Sequence, residues 1–197
     1  MFDGISAIDI SGTVGLVAMV LLTLNILMGL LVSVNYNTAR QWPRRKLPVP
    51  LFRIHNWSAY VALSVATLHP VILLFSGTAH FKPLDLLWPL GSPGQTLYNI
   101  MGALTFYGFA LVVITSYLRR RLGHVLWKRL HYVAYFAAAM MFAHGALIDP
   151  NLKGQPPDLI DGEKVLVEAC LLLVVGGSIW RWRYGSEKKR YLAAKAA

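Results

Sequence analysis

The sequence predicts an all-α integral membrane protein, a bundle of about five transmembrane helices with its N-terminus outside and its C-terminus in the cytoplasm. Three observations predict it. The 197 residues are 56% hydrophobic and only 14% charged, whereas a soluble domain of this length needs more polar surface. Long charge-free runs are near the roughly 20 residues that cross a hydrocarbon core of about 30 Å as a helix. Sixteen of the nineteen Lys and Arg fall in three clusters, Arg40–Arg53, Arg119–Arg129 and Arg181–Lys195. Alternate connections are therefore basic, which is the positive-inside pattern.

The runs are continuous rather than alternating, so helices and not a barrel satisfy the backbone in lipid. Span one is residues 14–34, with 21 uncharged residues. The preceding "MFDGISAIDIS" has no basic n-region, and the run is too long for a signal-peptide core, so a retained helix is expected. Span two is 54–75, span three 97–118 and span four 130–148. Span five, 165–180, has 16 residues and includes Glu168. It is short, but Trp180, Trp182 and Tyr184 can sit at the interface and Arg181 can snorkel. The first connection, with three prolines, reads as irregular or interfacial. The second contains Leu84–Trp88, which fits a short helix in the outer interface. The third is the basic stretch Arg119–Arg129, and the fourth is acidic and Pro-rich. The whole of 1–197 reads as one membrane domain. The formal charge of +10 is accounted for by topology and lipid headgroups rather than by nucleic acid. Neither a G-x-G-x-x-G nor a P-loop is present. Cys170, the single cysteine, lies in span five and reads as a small packing residue.

Four histidines interrupt this apolar pattern. "HNWSAYVALSVATLH" runs from His55 to His69, and "HYVAYFAAAMMFAH" from His131 to His144. An ionisable residue in a span is costly and points to function. His55 and His131 each lie two residues past an arginine, Arg53 and Arg129, that marks the cytoplasmic edge of an outward-running helix. His69 lies 16 residues past its anchor and His144 lies 15 past its own. Spans two and four run parallel, so His55 is level with His131, and His69 with His144. Neutral imidazole is an iron ligand, and a facing pair can hold a heme between two helices. The expected cofactors are two hemes b, His55/His131 on the inner side and His69/His144 on the outer, roughly 20 Å apart along the helix.

The angular arithmetic is uneven. Fourteen residues return His69 to within about 40° of His55's face, but thirteen leave about 140° between His131 and His144. Span four is distorted, or it presents different sides to the two levels, or His144 is not a ligand. Pro70, directly after His69, removes a donor and fits either a kink that clears space for a macrocycle or a kink tolerated in packing. Arg53 and Lys128, with Arg119, Arg120 and Arg121, are candidates to balance heme propionates, and equally read as topology markers. His80 and His124 read as solvated.

With "FRIHNWSAYVALSVATLH" and "RRLGHVLWKRLHYVAYFAAAMMFAHG" in place, the chain resembles the ferric-reductase-like transmembrane domain. That domain is shared by NADPH oxidases, ferric reductases and the heme-bearing membrane subunit of the periplasmic methionine sulfoxide reductase system. The resemblance covers roughly residues 14–148 and the fifth span loosely. It implies that His55, His69, His131 and His144 are axial ligands of two b-type hemes, and that a 13-residue step on span four is normal. Oxidases and ferric reductases of the family usually add flavin and NAD(P)H domains, which are not found here. The expectation is a membrane subunit that carries electrons across a bacterial cytoplasmic membrane between a separate donor, a flavoprotein or a quinol, and an external acceptor protein or metal. One alternative is a quinol- or quinone-linked cytochrome b subunit of a larger complex. Another is a heme-free membrane scaffold or transporter.

Overall fold

In the computed structural model, residues 6–34, 50–149 and 160–196 are described. Every regular element among them is helical. α1 is Ala7–Ser33, α2 Leu51–Leu73, α3 Pro83–Leu87, α4 Thr96–Tyr117, α5 Arg119–His131, α6 Val133–Leu147 and α7 Gly162–Ala196, with a 3₁₀ turn at Pro89–Gly91. The first connection, with Arg40 to Lys46, expected to be irregular or interfacial, and most of the Pro-rich fourth one lie outside the described residues.

α1 begins earlier than the apolar run because of a capping box. Ser6 Oγ accepts from the Asp9 amide at 3.1 Å, and the Asp9 carboxylate accepts from the Ser6 amide at 3.0 Å. Two donors of the first turn are thereby satisfied. α3 forms where the short external helix is expected, with Pro83 at its start. α4 starts at Gln95, whose φ of 46° is left-handed. The Gln95 side-chain amide bonds both backbone groups of Asp149, at 3.2 and 2.8 Å, and so ties the start of α4 to the end of α6.

Two expectations need correction. The basic stretch Arg119–Arg129 is helical rather than a loop, and it adjoins α6 so that Arg119–Leu147 forms a single candidate span. Arg, Leu and Lys favour helix there, and the bend falls at Gly123, whose φ of 74° suits glycine. The last helix is also longer than 165–180. Its candidate span is Gly162–Glu187, and Lys164 and Arg181 within that range bond to neighbouring helices. Lys164 is 4% exposed and donates to the Gly145 and Ile148 carbonyls at the end of α6. Arg181 donates to Ser33 Oγ on α1 at 2.7 Å.

Among the described residues, four helices are long and apolar enough to cross a membrane: α1, α4, α5 with α6, and the first part of α7. α2 has the length, at 23 residues, but His55, Asn56, His69 and Pro70 lower its hydropathy. The polarity that marks α2 as a functional element is what removes it from that set.

α1 packs along α2, and α4 packs along α6. α7 lies against α1 and α6, and α2 touches α4. Among the described residues, α2, which bears His55 and His69, makes no comparable backbone approach to α5, which ends at His131, or to α6, which bears His144. Small residues allow the close α4–α6 pairing: a Cβ on Gly108 would stand 2.7 Å from that of Ala137. The buried apolar cluster of Met19, Leu22, Ala62, Phe109, Ala137 and Met141 sits at mid-depth, because Ala62 lies halfway between His55 and His69. On α7, Val167, Cys170 and Val174 are buried while Leu172 is 70% exposed. Large apolar side chains face outward on several helices, as lipid contact requires and water does not favour.

Candidate cofactor site

The four histidines meet in two pairs. His55 and His131 have ring centroids 6.4 Å apart with planes at 70°, and His69 and His144 are 6.3 Å apart, also at 70°. The uneven spacing on the α5–α6 span is reduced by a local distortion. The Tyr132 amide bonds the Arg129 carbonyl at 3.2 Å, and the Tyr135 amide bonds the Tyr132 carbonyl at 3.1 Å. These i→i+3 bonds tighten the helix to about 3.0 residues per turn, which adds rotation after His131.

Each ring is held from behind, at Nδ1, by a neighbouring helix. His55 Nδ1 bonds the Asn25 carbonyl at 3.1 Å, His69 Nδ1 the Ser11 carbonyl at 2.7 Å, and His144 Nδ1 the Tyr98 carbonyl at 2.8 Å. A carbonyl only accepts, so in these three Nδ1 carries the proton and Nε2 holds the free lone pair. His131 Nδ1 instead faces Ser116 Oγ at 3.3 Å. Among the described residues, none of the four Nε2 atoms makes a hydrogen bond.

The supports on α1 are reciprocal. Asn25 Nδ2 donates to the His55 carbonyl at 2.6 Å and to Ser58 Oγ at 2.8 Å. Ser11 Oγ donates to the His69 carbonyl at 2.8 Å. Each histidine therefore gives a ring N–H to one α1 residue and takes a side-chain bond from the same residue. Four residues beyond each carbonyl stands a glycine. A Cβ on Gly15 would lie 2.9 Å from His69, one on Gly29 3.1 Å from His55, and one on Gly102 3.0 Å from His144. A helical side chain covers the turn N-terminal to its own Cα. Glycine at i+4 thus uncovers the carbonyl at i and lets the imidazole reach it.

His69 and His144 line a cavity of about 340 Å³, with Gly15, Met19, Gly102 and Phe109 among its walls. Among the described residues no three of His, Cys, Asp and Glu converge as metal ligands. Arg53 and Lys128 are exposed at the end that carries His55 and His131, and the structure brings neither to the rings. Arg119 packs over the Phe52 ring at 4.7 Å. His80 and His124 are exposed.

Several supporting residues escape a reading based on single residues: Ser11, Gly15, Gly29, Tyr98, Gly102, Ser116 and Lys164. A signal for the first few is nevertheless present. Ser11 and Asn25 are 14 residues apart, as are Gly15 and Gly29. That is the same step as His55 to His69.

The model of one protein family, described as ferric reductase like transmembrane component, matches residues 14–142. No curated protein and no solved structure matched the chain.

Proposed function

Because the chain belongs to the ferric reductase like transmembrane component family, we propose that it is a diheme b-type cytochrome carrying electrons across a bacterial cytoplasmic membrane. The observation that carries this reading is the pair of centroid distances. A metal–imidazole bond is about 2.0–2.1 Å and a ring nitrogen lies about 1 Å from its centroid, so two rings on opposite sides of one iron stand about 6 Å apart. Both pairs, at 6.4 and 6.3 Å, fit that sum. A bare ion would want more protein ligands than two, whereas a porphyrin supplies four of its own. The space between α2 and the α5–α6 span supports this reading, and the largely apolar cavity beside His69 and His144 would wall the group there. Heme would supply a one-electron couple at each level.

The residues do the rest. His55 and His131 would ligate at the cytoplasmic side, and His69 and His144 at the outer side. Asn25, Ser11 and Tyr98 hold the rings in one tautomer, as supports behind a ligating histidine do. The mid-depth apolar cluster keeps water out between the two levels. A heme held by two of these histidines would supply outer-sphere electron transfer rather than a binding site for substrate. The orientation is N-out and C-in, with α2 counted as a fifth span. A flavoprotein or a quinol on the cytoplasmic side would be oxidised, and an external protein or metal reduced.

The test is an oxidised and reduced absorption spectrum of the purified chain with heme per polypeptide measured. Two hemes b with low-spin, bis-histidine spectra are expected. Protein that folds without a Soret band when expressed with ample heme would end the proposal.

A further inference from the structure

The histidine supports follow a repeat with one exception. On α1 the carbonyl and glycine positions are Ser11/Gly15 and, 14 residues on, Asn25/Gly29. On α4 the first set is Tyr98/Gly102. The same 14-residue step places the second set at Val112 and residue 116, which is serine. The Val112 carbonyl accepts from Thr115 Oγ1 at 3.2 Å, which leaves its second lone pair, and the Ser116 side chain at i+4 lies over the same turn. The Ser116 hydroxyl stands in for that carbonyl, 3.3 Å from His131 Nδ1. The hydroxyl is itself engaged, since Trp127 Nε1 donates to Ser116 Oγ at 3.3 Å. The Trp127 ring also lies 5.3 Å from the His131 ring.

We infer that Ser116 and Trp127 are a positioning pair that makes His131 the weakest electron donor of the four ligating rings and thereby raises the reduction potential of its heme. This rests on the diheme reading. A strong acceptor behind a ligating histidine increases the ring's electron donation, which favours the oxidised iron. A carbonyl is such an acceptor. A hydroxyl whose oxygen already takes an N–H from indole is a weaker one. Three rings are held by carbonyls, His69 with the Ser11 hydroxyl also 3.1 Å from its Nδ1, and His131 alone has a hydroxyl and no carbonyl behind it.

The experiment is a redox titration of the full chain and its variants, with heme content measured in each. The titration step that belongs to this level is the one lost in His131→Ala. Ser116→Gly should keep both hemes and uncover the Val112 carbonyl, shifting that step down. A tenfold change in its reduction equilibrium, about 59 mV for one electron, is the expected size. Ser116→Ala removes the hydroxyl but keeps the cover, so the same step should move up. Ser116→Thr should leave it where it was. Trp127→Phe frees the hydroxyl oxygen and should shift the step down, which tests the idea even if the glycine variant does not fold. Equal shifts in both steps, shifts of one sign in Gly and Ala, or no shift in any variant would overturn the inference while leaving two hemes bound. A chain that binds no heme would instead overturn the reading beneath it.

Discussion

At the residue scale, the site depends on atoms that are absent as much as on those present. Gly102 is a sharp case, because an added Cβ would meet three atoms of the His144 ring between 3.0 and 3.3 Å. Gly102→Val should push that ring off the Tyr98 carbonyl. The expected outcome is loss of the same heme that His144→Ala loses, with content falling from two per chain toward one. Gly29→Val should remove the other heme, through His55. Replacement of exposed His80 or His124 should leave both, as heme content per folded chain will report. Asn25 acts differently, through two bonds to α2. Buried side-chain bonds between membrane helices average about 0.6 kcal/mol each, so Asn25→Ala should cost about 1 kcal/mol, measurable by thermal unfolding in detergent.

At the scale of elements, the histidine helices were legible because each departs from apolar monotony at matched depth past an arginine. The pairs that depth arithmetic produces, His55 with His131 and His69 with His144, are the pairs whose rings lie near 6 Å. The 13-residue step was not legible as a helix with a tight turn, since nothing in "HYVAY" specifies i→i+3 bonds at Tyr132. The helicity of Arg119–Arg129 was obscured because a topology argument reads charge as connection and is silent on backbone. The supports on α1 went unread for another reason. A backbone carbonyl leaves no trace in sequence, and only the 14-residue echo of Ser11/Gly15 in Asn25/Gly29 hints at it. The mixed character of α2 has a consequence for assembly. A helix too polar to be apolar by composition depends on α1 for burial of Ser58 and the His55 carbonyl. Breaking the α1 supports at both levels, with Ser11→Ala and Asn25→Ala together, should therefore reduce membrane-integrated protein more than either change alone. Quantification of full-length protein in washed membranes checks this.

For the whole molecule, the proposed arrangement is a conduit with two stations and an apolar partition. The basic clusters predict the orientation, so reporter fusions after Arg121 and after Lys188 should both score cytoplasmic. An external signal at the second site would mean that α7 does not cross. The proposed transfer uses outside partners. Purified protein should not oxidise NADH or NADPH by itself, and should be reduced once a flavoprotein or a quinol is added. Stopped-flow absorbance will separate the two donors. The central claim is that four histidines form two independent stations, and single-histidine variants test it most directly. Each of His55→Ala, His131→Ala, His69→Ala and His144→Ala should be purified and its low-temperature reduced spectrum and heme content recorded. The account predicts two matching sets, His55 with His131 and His69 with His144, each set lacking a different one of the two hemes. Loss of different hemes by His69→Ala and His144→Ala, in folded protein, would contradict it.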